Sequence, residues 1–203
     1  VAMDLTSPDG DGNVWDFSIP SQRAKAEHLI AEHGPTLLIG SPMCTPFSNT
    51  QNLNKAKRDP AVVEEEIRPG RLHLAWCCRL YRQQVERGAY FLHEHPNAAT
   101  SWRERCVREV LTLKGVGRVT ADQCQFGQEN QREEPLRKPT GFMSNAPELL
   151  RTLAVRCLGK NGLCSRKKGG KHGECLGSAA ILQGLRRQLV ADGRMKQNEV
   201  GLS

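Results

Sequence analysis

A short apolar run, Thr36-Leu37-Leu38-Ile39-Gly40, constrains the fold of this chain more than any other feature. It is short, almost wholly apolar and bounded by glycine and proline. An apolar run without polar alternation is typical of a parallel strand that is covered on both faces. The sequence therefore predicts an α/β fold with a Rossmann-like, mostly parallel sheet and helices on both faces.

Further predicted elements alternate along the chain, as such a fold requires. Strands are predicted at 90–92, 118–123 and 141–144, and helices at about 22–33, 69–87, 98–113, 148–156 and 179–190. Val1-Ala2-Met3-Asp4 is expected to end a strand of a larger fold that begins upstream. We expect an α/β catalytic core at 1–145, a Cys/His-rich basic region at 146–192 and a disordered tail at 193–203.

The charge balance points to a polyanionic partner. The chain carries 29 Lys and Arg against 22 Asp and Glu, a formal charge of +7. Because each phosphate contact releases condensed counterions, we expect nucleic acid, with DNA favoured over RNA; a basic surface without such a partner is the alternative. No apolar run is long enough to cross a membrane, and the N-terminus lacks the pattern of a signal peptide. We expect reduced cysteines, no membrane partner and a soluble, cytoplasmic or nuclear protein.

Three polar segments are predicted at strand ends, and the carboxyl edge of an open parallel sheet is where ligands bind. They are Ser41-Pro42-Met43-Cys44-Thr45-Pro46-Phe47-Ser48, His93-Glu94-His95-Pro96, and Arg137-Lys138 downstream of Phe126-Gly127. A nucleophilic cysteine needs a partly exposed setting, and a loop fixed by two prolines provides one. We therefore predict that Cys44 is a nucleophile; the alternative is a small buried thiol.

The Cys44 loop resembles the nucleophile motif of DNA cytosine-5 methyltransferases, Pro-Cys-Gln-Pro-Phe-Ser, which also follows an apolar strand and a glycine. Glu94 is similar in placement to the glutamate of the family's Glu-Asn-Val segment. Phe126-Gly127 with Arg137-Lys138 resembles the family's Phe-Gly-x-Pro-Gln-x-Arg-x-Arg, with an insertion and without the literal Gln-x-Arg. Asp4 resembles the acidic residue that approaches the cofactor's adenine. The resemblance covers about residues 1–145.

This resemblance implies methyl transfer from S-adenosylmethionine to carbon 5 of cytosine in DNA, through a covalent Cys44 adduct with a flipped-out base. Attack of the Cys44 thiolate at carbon 6 makes carbon 5 enamine-like. Glu94 would hold ring nitrogen 3 and the amino group, and Arg137 or Lys138 would support the base or its phosphate. Asp4 and Pro42 would contact the cofactor.

One family feature is missing, and it leaves two other hypotheses open. Residues 1–40 contain no Phe-x-Gly-x-Gly cofactor loop, and Gly115-Val116-Gly117 is better interpreted as a turn before a strand. The first alternative is a catalytically inactive nucleic-acid-binding module derived from this fold, such as a segment of a larger, retroelement-like polyprotein. The second is another cysteine enzyme, with His93 or His95 as base. These histidines would share the strand face opposite Glu94.

A cysteine and histidine cluster near the C-terminus predicts a metal site. Cys157, Cys164, His172 and Cys175 fall within nineteen residues. Three thiolates and one imidazole form a closed tetrahedral zinc site, which would order a glycine-rich segment and steady a target-recognition region. Scattered thiols in a mobile basic loop are the alternative. Cys77 and Cys78 are predicted in the core with Trp76 and Trp102, whereas Cys106 and Cys124 have no predicted partner.

Overall fold

The computed structural model of the chain describes residues 2–4, 7–48, 58–167, 170–173 and 200–202. In chain order the elements are β1 (Ala2–Met3), α1 (Pro20–His33), β2 (Leu37–Gly40), α2 (Pro60–Glu86), β3 (Tyr90–Pro96), α3 (Arg105–Leu111), β4 (Gly117–Asp122), β5 (Pro139–Ser144), α4 (Pro147–Leu153) and β6 (Val200–Leu202). Short 3-10 helices lie at Thr45–Phe47, Thr100–Arg103 and Gln123–Phe126. The chain is α/β, as predicted.

The strands form one mixed sheet in the order β1-β6-β2-β3-β5-β4. The pairs β1–β6, β6–β2 and β2–β3 are parallel, whereas β5 is antiparallel to both β3 and β4. The connection from β4 to β5 contains a 3-10 helix and loops instead of a crossover helix. Because parallel neighbours need a long crossover, usually helical, this connection favours the antiparallel pairing. The Rossmann-like, mostly parallel sheet stays a prediction.

Several predicted boundaries are wrong, and each has a local cause. Helix α2 begins at Pro60 instead of residue 69, because the Asp59 carboxylate accepts a hydrogen bond from the Ala61 amide at 2.8 Å and Pro60 suits the first helical position. Pro69 lies inside this helix. The helix predicted at 98–113 is two helices, because Glu104 has an extended backbone with ψ 142°.

Two predictions fall at the C-terminal end of the chain. The helix predicted at 179–190 lies outside the residues that the structure describes. The tail predicted to be disordered includes β6 at Val200–Leu202, whose backbone pairs with β1 on one side and β2 on the other. The sheet satisfies the backbone hydrogen bonds of these three residues.

The two faces of the sheet pack against different helices. On strand β2, Leu38 packs into a core with residues of α1, α2 and α3, while Leu37 and Ile39 pack on the opposite face with Leu150 and Leu153 of α4. The predicted core residues Trp76, Cys77, Cys78 and Trp102 are buried. No helix in the part of the chain that the structure describes is long and apolar enough to cross a membrane.

Candidate active site and metal cluster

The segments predicted to carry chemistry meet at one edge of the sheet. In the paired strands Gly40 lies opposite His93, Pro96 opposite Thr140, and Asp122 opposite Pro139. The Cys44 loop, the Glu94 segment, the end of β4 and the residues before β5 therefore share this edge. Asp4 follows β1 at the outer side of the sheet, where its backbone carbonyl accepts from the amides of Ser7 and Trp15.

Helix α2 packs closely against the Cys44 loop. Phe47 is fully buried, and Gly70 lies so near that a Cβ there would meet Pro46 Cγ at 2.9 Å and Phe47 Cε2 at 3.3 Å. Thr100 Oγ1 also donates to the Phe47 carbonyl at 3.3 Å. The loop is therefore held in place, while Cys44 itself stays partly exposed at the start of the 3-10 helix. This exposure agrees with the setting that a nucleophilic thiol needs.

Strand β3 fixes the other side of this loop through His95. The Nε2 atom of His95 lies 3.0 Å from the Pro42 carbonyl, and its Nδ1 atom lies 2.5 Å from Ser101 Oγ. Because a carbonyl only accepts, Nε2 must carry the hydrogen, and Nδ1 then accepts from the hydroxyl. Burial lowers the pKa of His95 to about 4. Both ring nitrogens are occupied, so His95 positions the loop and has no free nitrogen to take a proton from Cys44.

His93 and His95 share the strand face opposite Glu94, as their spacing predicts. Their rings stack with centroids 5.3 Å apart. His93 Nδ1 contacts the Tyr81 hydroxyl at 3.2 Å, and burial holds the pKa of His93 well below its usual value. The same hydroxyl occupies the space beside Gly40, where a Cβ would lie only 1.9 Å from it. Both imidazoles are neutral packing and positioning groups at neutral pH.

Glu94 is a buried carboxyl that contacts the Cys44 loop directly. Only 3% of the residue is exposed, and its Oε2 atom accepts a 2.6 Å hydrogen bond from Ser41 Oγ. Its Oε1 atom is buried and has no hydrogen-bond partner among the described residues. Burial raises the pKa of Glu94, although the Ser41 hydrogen bond and the Lys138 charge act the other way. Since a buried polar atom without a partner is costly, this side chain is suited to bind a ligand.

The structure separates the two basic residues that the sequence predicted together. Lys138 immediately precedes β5, and its charge acts on both Glu94 and His95. Arg137 turns to the end of β4, where its Nε lies 3.7 Å from Asp122 Oδ2 and its Nη2 donates to the Cys157 carbonyl at 3.4 Å. Of the pair, only Lys138 acts on the carboxyl beside Cys44.

A second site lies beyond the end of β4 and can hold a metal ion. Cys124, Cys157, Cys164 and His172 each offer a ligand atom, and these atoms all lie within 4.8 Å of one another. The three thiols are buried. Three of the four predicted ligands are brought together, while the fourth, Cys175, lies outside the described residues. Sequence reasoning missed Cys124 because it lies far upstream of the others.

No family model, curated protein or solved structure matches this chain. In the metal cluster, burial acts to raise the pKa of Cys157, but hydrogen bonds from Ser165 and neighbouring groups lower it to about 6. Burial raises the pKa of Cys124 to about 12. A bound cation would replace the protons on such thiols.

Cys106 also has a partner that the sequence did not predict. Its thiol lies within hydrogen-bond reach of the Cys78 thiol, between helices α2 and α3. The Cys78 hydrogen bond lowers the pKa of Cys106, and Cys106 remains partly exposed. The two thiols lie where α2 packs against α3, and neither belongs to the Cys44 loop.

Proposed function

We propose that this chain contains the base-binding part of a DNA cytosine-5 methyltransferase, in which the Cys44 thiolate adds to carbon 6 of a flipped-out cytosine. The observation that carries the proposal is Glu94, a buried carboxyl that Ser41 ties to the Cys44 loop and whose second oxygen lacks a partner among the described residues. Because burial raises its pKa, this carboxyl can keep a proton and donate it. Cytosine offers a complementary acceptor at nitrogen 3 and a donor at its amino group.

The Cys44 thiol first gives its proton to solvent, and the addition of the thiolate then balances with these groups. A bond forms between Cys44 Sγ and carbon 6, the electrons of the ring double bond move toward nitrogen 3, and nitrogen 3 takes the proton of Glu94. The carboxylate that remains is stabilised by the Ser41 hydroxyl and the Lys138 charge. Carbon 5 of the adduct is then an enamine carbon that can attack an electrophile.

Two features support DNA as the substrate. The formal charge of +7 favours a polyanion. Carbon 6 of a paired cytosine is inaccessible inside a duplex, so the reaction requires that the base leave the stack, and the edge of the sheet where the Cys44 loop meets Glu94 is where we propose that it binds.

The two residues assigned to S-adenosylmethionine by the resemblance follow strands that are not neighbours. Asp4 follows β1, which β6 separates from β2, and Pro42 follows β2, where its carbonyl accepts from His95. None of the described strands ends in a glycine-rich turn of the kind that the family uses for this cofactor. Methyl transfer is therefore proposed on the resemblance alone. The addition step uses only the Cys44 thiol and the Glu94 carboxyl, so it can be tested without S-adenosylmethionine.

Hydrogen exchange at carbon 5 of cytosine tests the addition step. The adduct's enamine takes a proton from water, and elimination of Cys44 then releases the original hydrogen. We expect the purified chain to release tritium from duplex DNA labelled at cytosine carbon 5, without a methyl donor. Cys44→Ser should abolish the release, and Glu94→Gln should slow it by about 10²- to 10³-fold.

The matched control is Cys106→Ser, which removes another partly exposed thiol and should leave the release unchanged. If the parent chain binds DNA tightly but releases no tritium, the enzyme proposal is wrong. That outcome would favour the second candidate, an inactive nucleic-acid-binding module with the same sheet edge. The lack of a cofactor turn among the described strands is the observation that favours this second candidate.

We also propose that the ion of the metal cluster is zinc in a structural role. Thiolate and imidazole are the ligands that zinc prefers in proteins. Four protein ligands leave no open position for water or substrate, which is the arrangement of a structural site. Zinc analysis of the purified chain by mass spectrometry tests this, with about one ion per chain expected.

A further inference from the structure

We infer that Cys124 is the fourth ligand of this zinc site, and that the ion fastens the residues around Cys157, Cys164 and His172 to the end of strand β4. The inference rests on the proposal that the ion is zinc. Cys124 lies in the 3-10 helix that directly follows β4, whereas Cys157, Cys164 and His172 lie after helix α4. An ion held by all four would therefore join two parts of the chain that are distant in sequence.

The spacing of the ligand atoms suits a tetrahedral ion. With Zn–S near 2.3 Å and Zn–N near 2.05 Å, the edges of the ligand tetrahedron measure roughly 3.6 to 3.8 Å. The Cys157 Sγ and His172 Nε2 atoms already lie 3.6 Å apart. The widest pair of ligand atoms is within 4.8 Å, so it would close by no more than about 1 Å around the ion.

Hydrogen-bond donors surround the sulfur atoms, as they do in built thiolate sites. The Ser165 amide donates to Cys157 Sγ at 3.4 Å, and the Gln125 side-chain amide lies 3.4 Å from Cys124 Sγ and 3.7 Å from Cys164 Sγ. Donors of this kind orient thiolate ligands and stabilise their negative charge. Gln125 contacts one sulfur from each part of the chain, so the Cys124 and Cys164 sulfur atoms are close neighbours.

The turn that carries Cys157 and Cys164 is shaped to bring the two sulfurs together. A Cβ at Gly159 would lie 1.9 Å from the Leu163 carbonyl oxygen, so the turn can close only with glycine at this position. Asn161 and Gly162 both have positive φ, at 53° and 78°, which reverses the chain direction between the cysteines. The glycine and the two positive-φ residues therefore allow the turn to bring Cys157 and Cys164 close together.

The same segment has too little apolar core to hold itself in place. Cys124, Cys157 and Cys164 form a buried cluster that contains no larger apolar side chain among the described residues. Leu158, next to Cys157, is 82% exposed. Three thiols contribute little hydrophobic stabilisation, so a metal ion is the group that can order such a segment.

Hydrogen bonds at the end of β4 connect the segment that carries Cys157 to the candidate base site. The Cys157 amide donates to the buried Asp122 carboxylate at 2.8 Å, and the adjacent Gln123 amide donates to the Lys138 carbonyl at 3.1 Å. Lys138 is the residue whose charge acts on Glu94. The ion therefore anchors the backbone from which Lys138 reaches the carboxyl beside Cys44.

Metal content of two serine variants tests the assignment. We expect a competing chelator to remove zinc from Cys124→Ser at a concentration that leaves Cys175→Ser and the control Cys106→Ser loaded. With Co²⁺ in large excess, the sulfur-to-cobalt absorption of Cys124→Ser should be about one third lower than that of the parent, because three thiolates become two. Zinc lost from Cys175→Ser but retained by Cys124→Ser would overturn the inference while the zinc proposal stands. A parent chain without zinc after refolding with the metal would overturn both.

A second measurement keeps the test decisive if Cys124→Ser does not fold. Cys124→His supplies another zinc ligand, so this variant should fold and bind zinc with a changed cobalt spectrum. In the parent chain, a chelator should make three further thiols reactive toward a thiol reagent, and in Cys124→His only two. Equal numbers in both proteins would show that Cys124 is not a ligand.

Discussion

Burial shifts the pKa values of the neighbouring residues Glu94 and His95 in opposite directions. It raises the pKa of the Glu94 carboxyl and lowers the pKa of the His95 imidazole to about 4, because the neutral form of each group is easier to bury. The carboxyl can then donate a proton, while the neutral imidazole holds the Pro42 carbonyl. His95 therefore positions the Cys44 loop, while Glu94 is the carboxyl that we propose to contact the base.

At the residue scale, the lowered pKa of His95 predicts that the free energy of unfolding depends on pH. Below pH 6.5 an unfolded histidine takes up a proton, whereas folded His95 stays neutral down to about pH 4. The unfolded state therefore binds more protons, and the free energy of unfolding should fall by about 1.4 kcal/mol per pH unit as the pH decreases through this window.

Urea unfolding at pH 7, 6 and 5 measures this effect in the parent and in His95→Gln. Glutamine keeps a donor for the Pro42 carbonyl and an acceptor for Ser101, but it does not titrate. Contributions from Glu94, His93, His73 and the metal ligands are common to both proteins and cancel in the comparison. Equal slopes in the two proteins would contradict the role given to His95.

At the scale of elements, helix α2 and the Cys44 loop fit together at Gly70. A residue with a side chain would ordinarily stabilise a helix relative to glycine by about 1 kcal/mol. Here the added Cβ would meet Pro46 Cγ at 2.9 Å, and the pyrrolidine ring cannot move without moving the loop. The close approach of the two elements therefore outweighs the intrinsic helix preference.

We expect Gly70→Ala to destabilise the protein by about 1–3 kcal/mol, as overpacked cores do. Because the strain falls on the loop that positions Cys44, the rate of tritium release should also decrease. The matched control is Gly10→Ala, where a Cβ would meet no atom within 4 Å. Denaturant unfolding of both variants checks the prediction, and a Gly70→Ala variant as stable as the parent would contradict it.

At the scale of the whole molecule, the four Cys and His residues bring the end of β4 together with the segment after α4. The end of β4 and the segment after α4 contact each other through Asp122 and the four ligands. Since an ion that binds only the folded state stabilises it, zinc at about 100 times its dissociation constant should add about 2.7 kcal/mol. Chemical unfolding with and without chelator measures this difference, and Cys164→Ser should show none. An unchanged unfolding midpoint in the parent would contradict a structural ion.

Much of the candidate active site could be predicted from the sequence, because its signals are local. The apolar run before Gly40 predicted a strand, two prolines predicted a fixed loop around Cys44, and the period of two along a strand placed the histidines opposite Glu94. Each of these properties depends on sterics and burial within a few consecutive residues.

The tertiary structure decided the features that depend on the path of the chain between distant segments. Cys124 joins the metal cluster because β4 delivers it there, and β5 is antiparallel because its connection contains no crossover helix. Arg137 and Lys138 are adjacent in sequence but act on different carboxyls. Residue types and their local spacing do not encode such contacts, since these depend on which strands and helices become neighbours when the whole core is packed.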